Sequence, residues 1–235
     1  MLVADQACTA VKEWCYENRL CLNMNKTECV VFYTDRPDKT APPSIQVQDS
    51  NISISESTKF LGLQLDANMK WRTHVEYLDG RLNTVIYSLN VLKHHVNANA
   101  LRIVYFSNFE SLVNYGVAFW AGGSFSDRIF VKQKQALRTI FHMSYLESCR
   151  GVFRRNGILT LRGLYIFHRL MFVREHGYLF EQFRNSNNTR RCHHYFYPLH
   201  SLTLTENSMQ YCCLKIFNVL PRLYQEVTRP ELFGK

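Results

Sequence analysis

Lys26 and Gly62 are the first residues whose type and place point to chemistry. Lys26 lies in a polar turn, Asn23-Met24-Asn25-Lys26-Thr27, that leads into the β-rich run Cys29-Val30-Val31-Phe32-Tyr33. A cation therefore stands at a loop-to-strand junction, where an isolated lysine does no more than close a surface loop. Gly62 interrupts the alternating run Phe60-Leu61-Gly62-Leu63-Gln64-Leu65. A glycine inside such a run marks either a bulge or a close approach of the backbone to something else.

A second set is basic. Residues 127–142 carry Ile129, Ala136, Leu137, Ile140 and Phe141 on one helical side, with Arg128 and Lys132 on one margin and Lys134 and Arg138 on the other. Such margins can straddle a phosphate backbone, and Arg154 and Arg155 extend the set. The formal net charge is +9, and all the excess is C-terminal. Residues 1–125 hold 11 Lys and Arg against 12 Asp and Glu, whereas residues 126–235 hold 17 against 7. Thirteen of those 17 are arginines, whose forked guanidinium suits phosphate, and they are mixed with Phe, Tyr and His that can stack on bases. The charge alone is equally compatible with a solvated basic surface, or with arginines that meet acidic patches of a larger protein.

The third set is Cys192-His193-His194, His200 and Cys212-Cys213. The residue types suit zinc, but no C-x-x-C or H-x-x-x-H clip is present, so the reading is aromatic-rich packing with free cysteines and no zinc. His142 and His168 read as core or boundary residues with no chemistry.

The elements that must hold these residues follow from periodicity. Ala7, Ala10, Val11 and Trp14 predict a short helix over residues 5–18. Cys29–Tyr33 reads as a strand, Ile45–Val47 and Ile52–Ile54 as a hairpin, and Phe60–Leu65 as a further strand that closes one small antiparallel sheet carrying the helix. From Trp71 the period changes to that of a helix, with Val75, Leu78, Leu82, Val85, Leu89 and Leu92 in line. A next helix over residues 99–119 puts Leu101, Val104, Tyr105, Leu112, Tyr115 and Phe119 together and breaks at Gly122-Gly123. Residues 159–176 are apolar nearly all round and read as a buried helix, and residues 208–219 as a last helix ended by Pro221.

At 235 residues and 46% hydrophobic, the chain can bury one good core or two modest ones. No run of eighteen apolar residues exists and the start lacks the pattern of a signal peptide, so a soluble intracellular protein of nucleus or cytoplasm is expected, with no membrane partner. The eight cysteines are scattered through a chain too apolar to need staples and are expected to be reduced.

Taken in order, Leu20-x-x-Asn23-x-x-Lys26-Thr27 with Phe32, Lys59-Phe60-Leu61-Gly62 with Asp66, and Trp71-x-x-His74 resemble the distal palm and primer grip of LINE-type (non-LTR), jockey-like retrotransposon reverse transcriptases. Leu101–Tyr105 with Asn114-Tyr115-Gly116 and Trp120 resembles the thumb of that family, and Gln133-Lys134 with Leu137–Ile140 its following basic helix. The likeness covers about residues 5–165. It implies an α+β fold: a small antiparallel palm-edge sheet with one helix (1–70), a helical thumb (71–125) and a basic helical region (126–235).

It also implies that Lys26 is a candidate acid for the pyrophosphate leaving group, and that Phe60, Leu61 and Gly62 hold the primer end. Arg128, Lys132, Lys134, Arg138, Arg154 and Arg155 would then contact RNA or an RNA/DNA hybrid. The family's metal-binding carboxylates are not among these motifs. Asp5 is followed by Gln6 rather than a second aspartate and stands only 21 residues before Lys26. Magnesium is thus expected only together with an upstream palm, the missing N-terminal polymerase part, and this chain alone is expected to be inactive. The alternatives are a stand-alone, retrotransposon-derived interaction or scaffold protein, and an unselected relic that aggregates through an unpaired sheet edge.

Overall fold

Helical spacing of Ala7, Ala10, Val11 and Trp14 yields the first element, α1 (Leu2–Glu17). It ends where Arg19 turns left-handed (φ 56°) and the Leu20 and Arg19 amides bond back to Cys15 and Tyr16, satisfying two terminal carbonyls. This computed structural model describes residues 2–33, 44–47, 50–180, 194–200, 203–221 and 224–225. The chain is α+β and divides into two compact units, Met1–Thr73 and His74–Lys235.

In the first unit β1 (Ser44–Val47) and β2 (Ser50–Ser53) form the expected hairpin, with Ile45 opposite Ile52, and α1 lies beside β1. A second hairpin joins β3 (Ser57–Phe60) to β4 (Leu63–Asp66), with Thr58 opposite Leu65. The expected single strand over residues 60–65 is therefore two strands, and the expected single sheet is two separate two-stranded sheets. Leu61 (φ 46°) and Gly62 (φ 85°) make the two-residue turn, because left-handed residues at both central positions match the twist of a tight hairpin. Cys29–Tyr33 is not a regular strand. It makes one parallel bridge, Cys29 to Ile54, and the Tyr33 amide reaches Ala67 O.

The turn from β4 into α2 (Arg72–Leu92) explains part of the sequence pattern. Met69 and Trp71 are both left-handed, and the buried Asp66 carboxylate accepts from the Arg72 (2.7 Å) and Thr73 (3.3 Å) amides. Asp66 and Trp71 thus hold the geometry of a helix start, at which a carboxylate meets unpaired amides and the positive end of the dipole.

In the second unit α3 (Ala98–Val104), capped by Asn97, runs through a π-helical stretch, Tyr105–Glu110, into α4 (Ser111–Asn114). The buried residues are Leu101, Tyr105, Phe109, Val113 and Val117, four apart. In a straight α-helix that spacing drifts around the cylinder, and the wider π turn keeps it on one side. This is why Tyr115, expected inside, is exposed; Phe119, also expected inside, lies past the end of this helix and is exposed as well. The helix breaks at Tyr115-Gly116 (φ 63°), earlier than Gly122, and α5 (Val117–Trp120) follows.

Next come α6 (Asp127–Ile140), α7 (Arg150–Arg155) and α8 (Leu161–Glu175). α2 and α6 lie side by side and parallel, since Asp79, Asn83 and Asn90 meet Arg128, Lys132 and Thr139, each pair 49 residues apart. α8 buries Leu161, Leu164 and Val173 but leaves Ile166 and Phe167 exposed, so it is not covered all round as its composition suggests. The short α9 (Thr203–Glu206) precedes α10 (Met209–Val219), the expected last helix, which the Ser208 side chain caps; Cys213, Leu214 and Phe217 pack with Val173 and Tyr195. The seven described cysteines are unpaired, and no described helix is long and apolar enough to cross a membrane.

Candidate functional site

The two opening candidates lie on connected parts of the first unit. Lys26 ends a single 3₁₀ turn, Met24–Lys26, capped by the Asn23 side chain, and is exposed. Two residues on, the Glu28 carboxylate accepts from the Thr58 hydroxyl of β3. β3 carries the chain to the hairpin tip, where Phe60 and Leu61 are 60% and 73% exposed. Two large apolar side chains mostly in water on a tight turn bury little apolar surface, and Leu61 also carries the cost of a left-handed backbone. Leu61→Asn is expected to stabilise the protein by about 1 kcal/mol in urea denaturation, since asparagine tolerates this conformation best among residues with a side chain.

The basic helix is positioned by its apolar side. Ile129, Gln133, Ala136, Leu137 and Ile140 are buried, which turns the two cationic margins toward different neighbours. The Arg128 and Lys132 margin faces α2. Asp79, only 5% exposed, takes Arg128 at 3.1 Å and Lys132 at 3.7 Å, and Lys132 also donates to Asn83 at 2.7 Å. These two cations are held by an acid of the same chain, and the margin carries less net charge than its sequence shows. The signal was present, an aspartate between Leu78 and Leu82 on the apolar side of α2, but its partners Arg128 and Lys132 lie 49 and 53 residues away.

The Lys134 and Arg138 margin faces α7. Lys134 stands over the Phe130 ring at 4.8 Å, and Phe130 packs on Phe153 of α7. Arg138 donates twice to Glu147 O (3.0 and 3.2 Å) with its guanidinium 5.8 Å from the Tyr145 ring centre. Cys149, at the start of α7, donates to Lys134 O; burial pushes its thiol pKa up against the opposing pull of Arg138 and Lys134. Arg150, Arg154 and Arg155 are exposed on α7. The structure thus sets the Lys134 and Arg138 margin beside the start of α7 and turns it away from Asp79, which holds Arg128 and Lys132.

Other arginines are structural. Arg169 is 1% exposed on α8, donates to Ala118 O of α5 at 2.9 Å and lies 4.2 Å from the centre of the Tyr165 ring. Beside it, burial pushes the Cys213 thiol up to about 11. Cys213 is therefore a neutral packing residue.

Of the histidine and cysteine set, Cys192 and His193 lie outside the described residues. Both ring nitrogens of His200 face acceptors, the Glu206 carboxylate at 3.1 Å and Pro198 O at 3.1 Å. This favours the doubly protonated ring and raises its pKa, chiefly through the bond to Glu206. Among the described residues no group of three or more His, Cys, Asp or Glu could hold a metal ion. His168 is half-buried and bonds to Asn114, whereas His142 is exposed and left-handed rather than a core residue.

Gln133 is the residue whose role the pattern did not reveal. Its buried amide donates to the Tyr105 hydroxyl and to Leu159 O and accepts from the Leu161 amide, all at 2.9 Å. It ties α6, the π-helical stretch and the start of α8 together. No protein-family model, no curated protein and no solved structure matches the chain.

Proposed function

We propose that this chain is the C-terminal part of a non-LTR retrotransposon reverse transcriptase, a module that binds template RNA and RNA/DNA hybrid but carries no catalytic carboxylates of its own. The observation that supports it most is the α6–α7 face. Lys134 and Arg138 lie on α6 and Arg150, Arg154 and Arg155 on α7, two helices that touch through Phe130 and Phe153, and among the described residues none of the five forms an ion pair with an acid. Cations without carboxylate partners are available to phosphates, and their contacts are to backbone rather than bases. In this reading the exposed hairpin tip Phe60-Leu61-Gly62 meets the primer end, Lys26 faces the leaving phosphate, and the exposed side chains of α1, Val11 and Trp14, pack against the upstream palm.

Fluorescence anisotropy with a labelled RNA/DNA hybrid tests the reading. The full chain should bind with an affinity that falls steeply with salt, and the double change Arg154→Gln, Arg155→Gln should reduce the slope of log K against log salt by about 2. The same protein with magnesium and dNTPs should not extend the primer. Absence of binding at low salt would overturn the proposal in favour of an interaction or scaffold protein.

A further inference from the structure

The parallel seam between α2 and α6 has two unlike halves. In its N-terminal half Asp79 closes over Arg128 and Lys132. Its C-terminal half opens into a cleft of about 500 Å³ lined by Asn90, Lys93, Arg138, Thr139, His142 and Tyr145, together with Ile86, Gln135 and Met143. No carboxylate is among the lining residues. We infer that this cleft is a binding site for one unpaired nucleotide of a nucleic-acid strand, with its phosphate among Lys93, Arg138 and His142 and its base stacked on Tyr145. The inference rests on the nucleic-acid reading above and deepens it by moving the phosphate contact away from Arg128 and Lys132.

Three features carry the assignment. Arg138 spends Nε and one terminal nitrogen on Glu147 O, which holds the guanidinium in place while its remaining donors stay available. Tyr145 is 75% exposed, with the Arg138 guanidinium 5.8 Å from its ring centre, so a base can take the exposed part of the ring. His142 has φ 50° at the position just past the end of α6, where the Met143 amide bonds back to Arg138 O. Glycine or asparagine is the usual residue there, because a branched or bulky side chain is strained in the left-handed region.

A purely structural account explains part of this. α2 and α6 both end at the cleft, and cations near helix C-termini offset the partial negative charge of the terminal carbonyls. That role accounts for Lys93 and Arg138. It does not account for the exposed tyrosine beside them.

The test uses the full chain with labelled single-stranded RNA and DNA oligonucleotides of mixed sequence and a blunt RNA/DNA hybrid, with Lys93→Gln, Tyr145→Ala and His142→Gly as variants. Wild type should bind the single strands, and Lys93→Gln and Tyr145→Ala should each weaken that binding about tenfold, the loss expected for one stacking or phosphate contact. His142→Gly should raise the melting temperature by relieving strain while lowering single-strand affinity, a pairing that a structural role would not produce. Single-strand binding unchanged in all three variants overturns the inference and leaves the hybrid reading standing if the hybrid still binds. Loss of every form of binding in the wild type overturns both.

Discussion

Replacing Gln133 by leucine is expected to cost on the order of 3–5 kcal/mol, a large share of the 5–15 kcal/mol that holds a typical domain folded. The amide makes three hydrogen bonds of 2.9 Å in a site where the side chain is 1% exposed. Leucine fills the space and strands three groups: the Tyr105 hydroxyl, Leu159 O and the Leu161 amide. Each buried group without a partner costs about 1–3 kcal/mol. The Leu161 amide is one of the first-turn donors of α8, and Thr160 reaches only the Gly163 amide, so no second acceptor replaces the glutamine there. Tyr105→Phe removes one bond and leaves the amide its other two, so it should cost only about 1 kcal/mol. Urea denaturation of the full chain compares the two. A Gln133→Leu protein within 1 kcal/mol of wild type would show that the amide does not join these elements.

Lowering the pH from 7.5 to 4 should destabilise the second unit by about 3 kcal/mol through His74. Its ring is 1% exposed, 5.7 Å from the Trp120 ring centre, and burial lowers its pKa from 6.5 to about 4. The unfolded chain takes up a proton as the pH falls below about 6.5, and the folded chain refuses it until about 4. The unfolded state therefore binds more protons across that window, and stability falls with falling pH. His168, lowered by burial as well, acts in the same sense. In His74→Gln, which cannot titrate, the dependence between pH 6.5 and 4 should flatten to the part that His168 and the carboxylates supply. Equal pH dependence in wild type and His74→Gln would sink this assignment.

His74 and Gln133 show what kind of information the sequence carries. Both stand inside short patterns, Trp71-x-x-His74 and Gln133-Lys134, that mark them out without saying why. For His74 the reason is the Trp120 ring that burial brings beside it, and for Gln133 it is two carbonyl and amide groups near residue 160. Neither partner is near in the chain.

The α+β class, the β1–β2 hairpin, and α1, α2, α6 and α10 could be read from residue order alone. Side-chain period is a local property, and a run of apolar residues at spacing 2 or 3.6 has only one element on which to lie. The turn at Leu61-Gly62 was misjudged because an apolar leucine in a left-handed position imitates the middle of a strand. The π-helical stretch was missed because its effect is a spacing of four, close enough to 3.6 to pass for an ordinary helix that buries other residues.

Charge is where residue order informs least. The sequence shows Arg128, Lys132, Lys134 and Arg138 as four equivalent cations on one helix. Only the tertiary structure puts Asp79 against the first two and leaves the other two beside α7 and an acid-free cleft. Coulombic interaction depends on distance in space, so an aspartate far away in the sequence decides which of these cations remain available to an anionic partner.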